Sequence, residues 1–399
     1  MSPNPFSQPQ RRRLVLKRGR ERAIANRHPW VFSGAIERES GPEGAAIADL
    51  VDRDFRRIAS GFYSAKSQIR VRVVAWHDED LSEDFLKRRI SDAVERREGL
   101  IDEATNAARF VNSEGDDLSG LVVDRYADAL VIEISSAGLD GIRDLVVEHL
   151  GNLLRPRTTV VHNDLPARRI EGVSIENVVI GENRDEVQIL ENGLRFFVSL
   201  KSGQKTGFFL DQRDNRAIAR SLAGGRIALN VFSYTGGFGV AAAAGGATSV
   251  REVEASDRAL SIARRNHELN GSLGRADLVS GDAFEVLRDL VSQGDHYGIV
   301  VCDPPAFVKS RKDVEKAARG YKDINLQALK LVEPGGCLMT FSCSGHMPLD
   351  LFQKIVFAAA LDARRRVSIL RRLGAGIDHP VSLYCPEGEY LKGFLLRVE

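Results

Sequence analysis

Residues 227–239 read Ile-Ala-Leu-Asn-Val-Phe-Ser-Tyr-Thr-Gly-Gly-Phe-Gly, an apolar run that stops at a glycine-rich turn. The run predicts a strand over Ile227–Phe232, and the glycines let a ligand approach the backbone where the next helix begins. Downstream, strand-like stretches recur at Ser249–Glu254, Ala276–Ser280, Tyr297–Cys302 and Cys337–Ser342, with helical patterns between most of them. Such alternation implies parallel strands joined by right-handed crossovers, a doubly wound sheet. Arg366–Arg371 and Leu391–Val398 are also strand-like, and only a loop separates them. They suit an antiparallel hairpin at the sheet's edge, giving seven strands. In such a sheet, ligands bind beyond the carboxyl ends of the strands, where the topology switches.

Those ends carry the chemistry. The second strand ends at Glu254, placed to accept hydrogen bonds from the hydroxyls of a ribose. The third leads into Gly281-Asp282-Ala283, whose carboxylate can take an adenine amine. The fourth ends Asp303-Pro304-Pro305-Ala306-Phe307, where two prolines stop the ladder and present Asp303 and Phe307 at the edge. Taken singly, Glu254 and Asp282 read equally as helix caps or first-turn acids. A glycine turn, an acid, an acid and Asp-Pro-Pro on four consecutive strands is a set that coincidence explains poorly. The glycines lack the GxGxxG spacing of dinucleotide binders, which disfavours a nicotinamide dehydrogenase and leaves a nucleotide-like cofactor.

Upstream, the chain to about residue 80 has short β-type stretches, Gly44–Val51 and Ile69–Trp76 among them, separated by Gly, Asp and Arg turns. A helix over residues 82–99 follows, with Leu86, Ile90, Ala93 and Val94 on one face and Lys87, Arg88, Arg89, Arg96 and Arg97 read as its wet face. Mixed α/β sequence then runs to about 192. Three domains are expected, over 1–92, 93–192 and 193–399. From Arg11 to Arg27 there are eight basic residues against one acid, Glu21. This strip, with Arg11, Arg12, Arg13, Lys17 and Arg18 at its head, is either a phosphate-binding surface for nucleic acid or a solvated basic tail. In His28-Pro29-Trp30-Val31-Phe32 the rings either stack on bases or, as is more usual, plug a small core.

The whole chain has 399 residues, 56 Lys+Arg against 55 Asp+Glu, and 43% hydrophobic residues, enough apolar sequence for ordinary cores rather than disorder. No apolar run approaches the ~20 residues that cross a bilayer. Met1–Gln10 has no secretory pattern, so a cytoplasmic protein is expected. The four cysteines (302, 337, 343, 385) show neither CxxC spacing nor a His cluster, and no metal site or disulfide framework is expected.

With these motifs in place, residues 193–399 resemble a class I S-adenosylmethionine-dependent methyltransferase, with Asn230–Gly239 as its first motif. The resemblance implies a Rossmann-like α/β domain. Gly236 and Gly237 would accommodate the methionine part of the cofactor, with Asn230 and Phe232 beside them, while Glu254 would hold the ribose and Asp282 the adenine. Asp303 would adjoin both cofactor and substrate. The N-terminal strip ending His28-Pro29-Trp30-Val31-Phe32 resembles the start of a PUA RNA-binding domain. Gly203-Gln204-Lys205-Thr206-Gly207-Phe208-Phe209-Leu210-Asp211-Gln212-Arg213 is similar to the lead-in of the ribosomal large-subunit methyltransferase I family. Further matches are Gly320-Tyr321-Lys322-Asp323-Ile324-Asn325, Phe341-Ser342-Cys343-Ser344-Gly345 and Pro386-Glu387-Gly388-Glu389-Tyr390-Leu391-Lys392-Gly393-Phe394. That family makes 5-methylcytosine in 23S rRNA, so the resemblance implies 23S rRNA or a large-subunit assembly intermediate as partner. Relatives are often homodimers, and no patch of this sequence marks a dimer face.

Carbon 5 of cytosine is a poor nucleophile, and a thiolate adding to carbon 6 makes it enamine-like. Cys343 is the expected nucleophile, at the end of the fifth strand beside Asp303. Asp303 would assist protonation of the base, Phe307 would stack on it, and Lys309 or Lys322 would lower the thiol's pKa. Cys302 and Cys337 read as packing and Cys385 as a loop thiol. His346 lies outside the motif. The chain lacks the Pro-Cys pair that many RNA 5-methylcytosine enzymes carry after the fourth-strand Asp, which leaves the proton-abstracting base open. The rival readings are a purine N-methyltransferase of the same fold, which would not need Cys343, and a noncatalytic RNA-binding assembly factor.

Overall fold

The computed structural model describes residues 4–201, 206–308 and 313–399. The chain forms two compact units that interleave along the sequence. One comprises residues 1–188, 198–208 and 378–388, and the other 189–197, 209–377 and 389–399.

The first unit opens with a six-stranded sheet: β1 (Arg12–Leu16), β2 (Trp30–Phe32), β3 (Ile36–Ser40), β4 (Ile47–Val51), β5 (Arg57–Tyr63) and β6 (Ile69–Trp76), in the order β2-β6-β5-β4-β1-β3. The β4 strand starts three residues later than the apolar run, because Gly44 turns at φ +73°. The helix Glu83–Glu98 follows, its first turn capped by Ser82, whose side chain accepts from Phe85 N. Its apolar stripe, Leu86, Ile90, Ala93 and Val94, is buried as the periodicity predicts. Arg97 departs from the expected wet face: it is 2% exposed, and both its terminal nitrogens bond Asp116, at 2.6 and 2.8 Å. A second sheet holds β7 (Ala107–Asn112), β8 (Leu121–Tyr126), β9 (Ala129–Ile134), β10 (Thr158–His162) and β11 (Val178–Gly181), ordered β11-β10-β9-β8-β7. Phe62 and Val74 from the first sheet share a buried cluster with Val123 and Ile132 from the second, so the two sheets have one core.

A hairpin of β12 (Glu186–Glu191) and β13 (Leu194–Ser199) precedes the second unit's sheet. That sheet has β14 (Ile227–Val231), β15 (Ser249–Glu254), β16 (Ala276–Ser280), β17 (Tyr297–Cys302), β18 (Val332–Ser342), β19 (Val367–Gly374) and β20 (Lys392–Val398), ordered β16-β15-β14-β17-β18-β20-β19. The first five are parallel, and β20 runs antiparallel between β18 and β19. Every residue of β17 is buried, which is why it reads as an unbroken apolar run. The order reverses between β14 and β17, so the ligand crevice of such a sheet opens at the carboxyl ends of these two strands. The first strand ends one residue early because Phe232 takes φ 60°, which no strand accommodates. Cys337 lies inside β18 rather than at its start. Among the described residues no helix is long and apolar enough to cross a membrane.

Candidate active site

The turn after β14 winds through three left-handed residues, Phe232 (φ 60°), Tyr234 (φ 49°) and Gly236 (φ 79°). Positive φ in two aromatic residues is strained and persists only where the surroundings hold it. Here Ser233 N bonds Val253 O at 3.0 Å and Tyr234 N bonds the Glu254 carboxylate at 2.9 Å. Beneath the turn, Asn230 donates to Glu252 at 2.7 Å, Glu252 meets His267 Nε2 at 2.9 Å, and His267 Nδ1 meets Ser272 Oγ at 2.8 Å. Asn230 is 3% exposed and its amide is held by Glu252, which ties the end of β14 to β15. A Cβ on Gly239 would lie 1.8 Å from Glu252 Oε1, which explains a glycine that the sequence reading left without a role.

The side-chain oxygens of Ser233 and Thr235 are buried without a hydrogen-bond partner among the described residues. A strained, glycine-bearing turn with two unmatched hydroxyls fits a polar ligand that completes it. Glu254 uses its second oxygen on Ser256 N at 3.0 Å, and Ser256, not Glu254, caps the helix Asp257–Leu269. Asp282 does cap its helix: Oδ1 accepts from Phe284 N and Glu285 N at 2.8 and 3.3 Å. It stays exposed.

At the next strand end, Asp303 Oδ2 accepts from Gln212 Nε2 at 2.9 Å. Gln212 is itself held, since Asn215 donates to its Oε1 at 2.6 Å and to Gly374 O at 2.9 Å. The same string places Asp211 against the Tyr390 hydroxyl at 2.6 Å, and Arg216, just beyond it, forks onto Glu191 with two 2.6 Å bonds. Gly203–Lys205 of that string lie outside the described residues. Phe307 is half-buried among Tyr321, Phe284 and Phe232, with ring centroids 4.8, 6.1 and 6.4 Å away.

Cys343 follows the last residue of β18, beside β17, with Sγ 3.6 Å from the Pro304 carbonyl oxygen. It is half-buried. Both flanking serines are tied: Ser342 Oγ donates to the Tyr321 hydroxyl at 2.9 Å, which meets Ser344 Oγ at 3.0 Å, and Val308 N donates to Ser344 Oγ at 3.2 Å. Burial chiefly raises the Tyr321 hydroxyl, with Cys343 adding to the shift. Lys322 is paired with Asp362 at 2.7 Å, and Lys309 lies outside the described residues. Lys392, which the sequence reading quoted but gave no role, donates to the carbonyl of Ser344, the residue after the thiol, at 2.9 Å. Of the other thiols, burial pushes Cys302 far above the usual range and Cys385 up to about 12, which suits packing; Cys385, read as a loop thiol, is fully buried. His346 is exposed.

The basic strip is revised. Arg11 is buried: its Nε donates to Phe6 O at 3.0 Å, and its terminal nitrogens reach Asp49 at 3.2 Å and Leu81 O at 2.6 Å. Its charge is internal and offers nothing to a phosphate. Arg12 is half-buried, paired with Glu39 at 3.4 Å and lying over the Tyr63 ring. Arg13, Lys17 and Arg18 stay exposed. Trp30 is half-buried, donating to Glu114 at 2.8 Å, as expected of a packing ring, whereas Phe32 is exposed and does not plug the core.

Comparison with known proteins matches residues 161–373 to the S-adenosylmethionine-dependent methyltransferase family model and residues 14–76 to a PUA-like domain. Two solved structures superpose over 96% of this chain and 99% of their own. One is a candidate methyltransferase complexed with SAH (TM-score 0.83, 21% identical). The other is a candidate SAM-dependent methyltransferase from Streptococcus mutans (0.82, 22%). At those identities they establish the fold. The proteins named ribosomal RNA large subunit methyltransferase I from Pseudoalteromonas atlantica and Aeromonas hydrophila are 42% and 43% identical. The alignments cover 97% and 96% of this chain and 99% and 98% of theirs. The glycine turn, the acids at the strand ends and this near-complete match agree: the chain belongs to the ribosomal RNA large subunit methyltransferase I family, S-adenosylmethionine-dependent enzymes with a PUA-like domain.

Proposed function

We propose that this protein methylates carbon 5 of a cytosine in 23S rRNA, with Cys343 as covalent nucleophile. The observation that carries the reading is the thiol's position, 3.6 Å from the Pro304 carbonyl in the turn that presents Asp303. Gly236 and Gly237 would receive the methionine part of the cofactor, Glu254 the ribose hydroxyls, and Asp282 the adenine amine. When bound, S-adenosylmethionine supplies a methyl group as an electrophile.

The chain's own residues do the rest. Cys343 Sγ, as thiolate, bonds to carbon 6 of the base, and the ring's electron pair shifts toward N3 and carbon 5. Asp303, held by Gln212, hydrogen-bonds the ring nitrogen or exocyclic amine and stabilises that shift. Once carbon 5 carries the methyl group, a base takes its proton, the ring double bond re-forms, and the S–C6 bond breaks to return the thiolate. The base must be unstacked, at a cost of about a few kcal/mol. Phe307 would pack against it, and Arg13, Lys17 and Arg18 would offset part of the cost through phosphate contacts.

The test is RNA carrying 5-fluorocytosine at the target. Fluorine cannot leave as a cation, so the adduct should persist as a protein–RNA species linked through Cys343 and be lost in Cys343→Ser. A linkage through another residue, or none during turnover of normal RNA, contradicts the proposal.

A further inference from the structure

We propose that Lys392 is the positioning residue for Cys343: its ammonium, clamped by two carbonyls of the turn that follows the cysteine, fixes that turn and supplies the positive charge that favours the thiolate. The inference rests on Cys343 being the nucleophile. Lys392 is 5% exposed and begins β20, where it pairs in register with Ser342, the residue before Cys343. Its Nζ donates to Ser344 O at 2.9 Å and Met347 O at 2.8 Å. Both acceptors are neutral. A buried ammonium bonded only to carbonyl dipoles costs free energy, and it favours ionisation of an acid within its field.

Cys343 is such an acid. Burial lowers the Lys392 pKa, while Glu389 and Cys343 push it back up. With its ammonium on the carbonyl of the residue after Cys343, the lysine places a positive charge that favours a thiolate over a thiol. Among the described residues, other groups lie on the elements packed around the thiol or on its own turn. Tyr321, on the helix Val314–Leu331, is a neutral hydroxyl shared with Ser342 and Ser344. Asp303 and Glu389 are acids that oppose ionisation, and His346, on the same turn, is exposed.

The experiment measures alkylation of Cys343 by iodoacetamide against pH in the full-length protein, read by mass spectrometry of the Cys343 peptide. The wild-type midpoint should lie below the ~8.5 of a free thiol. Lys392→Met should raise it by about one pH unit, and Lys392→Arg should restore most of the difference. A purely structural lysine would change the reactive fraction at every pH without moving the midpoint. A wild-type midpoint at or above ~8.5, or an unmoved midpoint in Lys392→Met, overturns the proposal; the wild-type arm needs no variant to fold. Methyl transfer by Cys343→Ser, measured alongside, separates the two readings. If that variant stays active while the Lys392 shift is seen, the nucleophile assignment fails and the coupling stands.

Discussion

Gln212 donates from Nε2 to Asp303 Oδ2 at 2.9 Å and is 2% exposed. The amide holds the carboxylate in place at the end of β17. Gln212→Leu should lower kcat about tenfold, the rate equivalent of ~1.4 kcal/mol, with little change in cofactor affinity. Asp303→Asn should lose about 10²–10⁴-fold. Single-turnover methyl transfer with separately measured cofactor binding checks both.

Gly239→Ala should damage the cofactor turn from beneath. The new Cβ would stand 1.8 Å from Glu252 Oε1, in a network that also holds Asn230 and His267. Overpacking of this kind costs about 1–3 kcal/mol. A lower Tm and weaker S-adenosylmethionine binding by calorimetry are expected together.

The basic strip should divide by function. Arg11→Ala leaves Asp49 without its guanidinium in the interior and should cost about 3–5 kcal/mol of stability. Arg13→Ala and Arg18→Ala should leave urea midpoints unchanged. Each should instead reduce the salt dependence of RNA binding, by about one unit of slope per lost phosphate contact.

Stability should fall at alkaline pH. Burial raises the Cys385 thiol to about 12, with Glu114 and Glu387 adding, and raises Cys302 further, with Asp303 adding. The folded chain therefore holds protons that the unfolded chain releases. The contribution is complete below about pH 9 and is lost as pH rises toward about 12. Urea midpoints measured across that window should decline, and less steeply in Cys302→Ala.

The central strand of the second unit was legible because a strand buried on both faces leaves an unbroken apolar run, as at Tyr297–Cys302. The edge hairpin was legible from two strand-like stretches joined without a helix. What escaped the sequence was pairing across distance. Arg11 reads as surface until Asp49, 38 residues away, is seen to neutralise it, and Arg97 likewise until Asp116 is. Gln212 and Lys392 are ordinary polar letters until folding brings Asp303, 91 residues on, and Ser344, 48 residues back, against them. Asp282 shows another limit: a strand-end acid and a helix cap have the same sequence signature, and the structure shows its Oδ1 capping the helix Ala283–Gln293.

The central claim is tested most directly by methyl transfer from labelled S-adenosylmethionine to unmodified large-subunit rRNA. Wild type and Cys343→Ser would be run side by side and the product nucleoside identified. The account predicts 5-methylcytosine from wild type, and none from a variant that still binds cofactor and RNA. A methylated purine, or an undiminished rate in Cys343→Ser, would contradict it and leave Cys343 a structural residue.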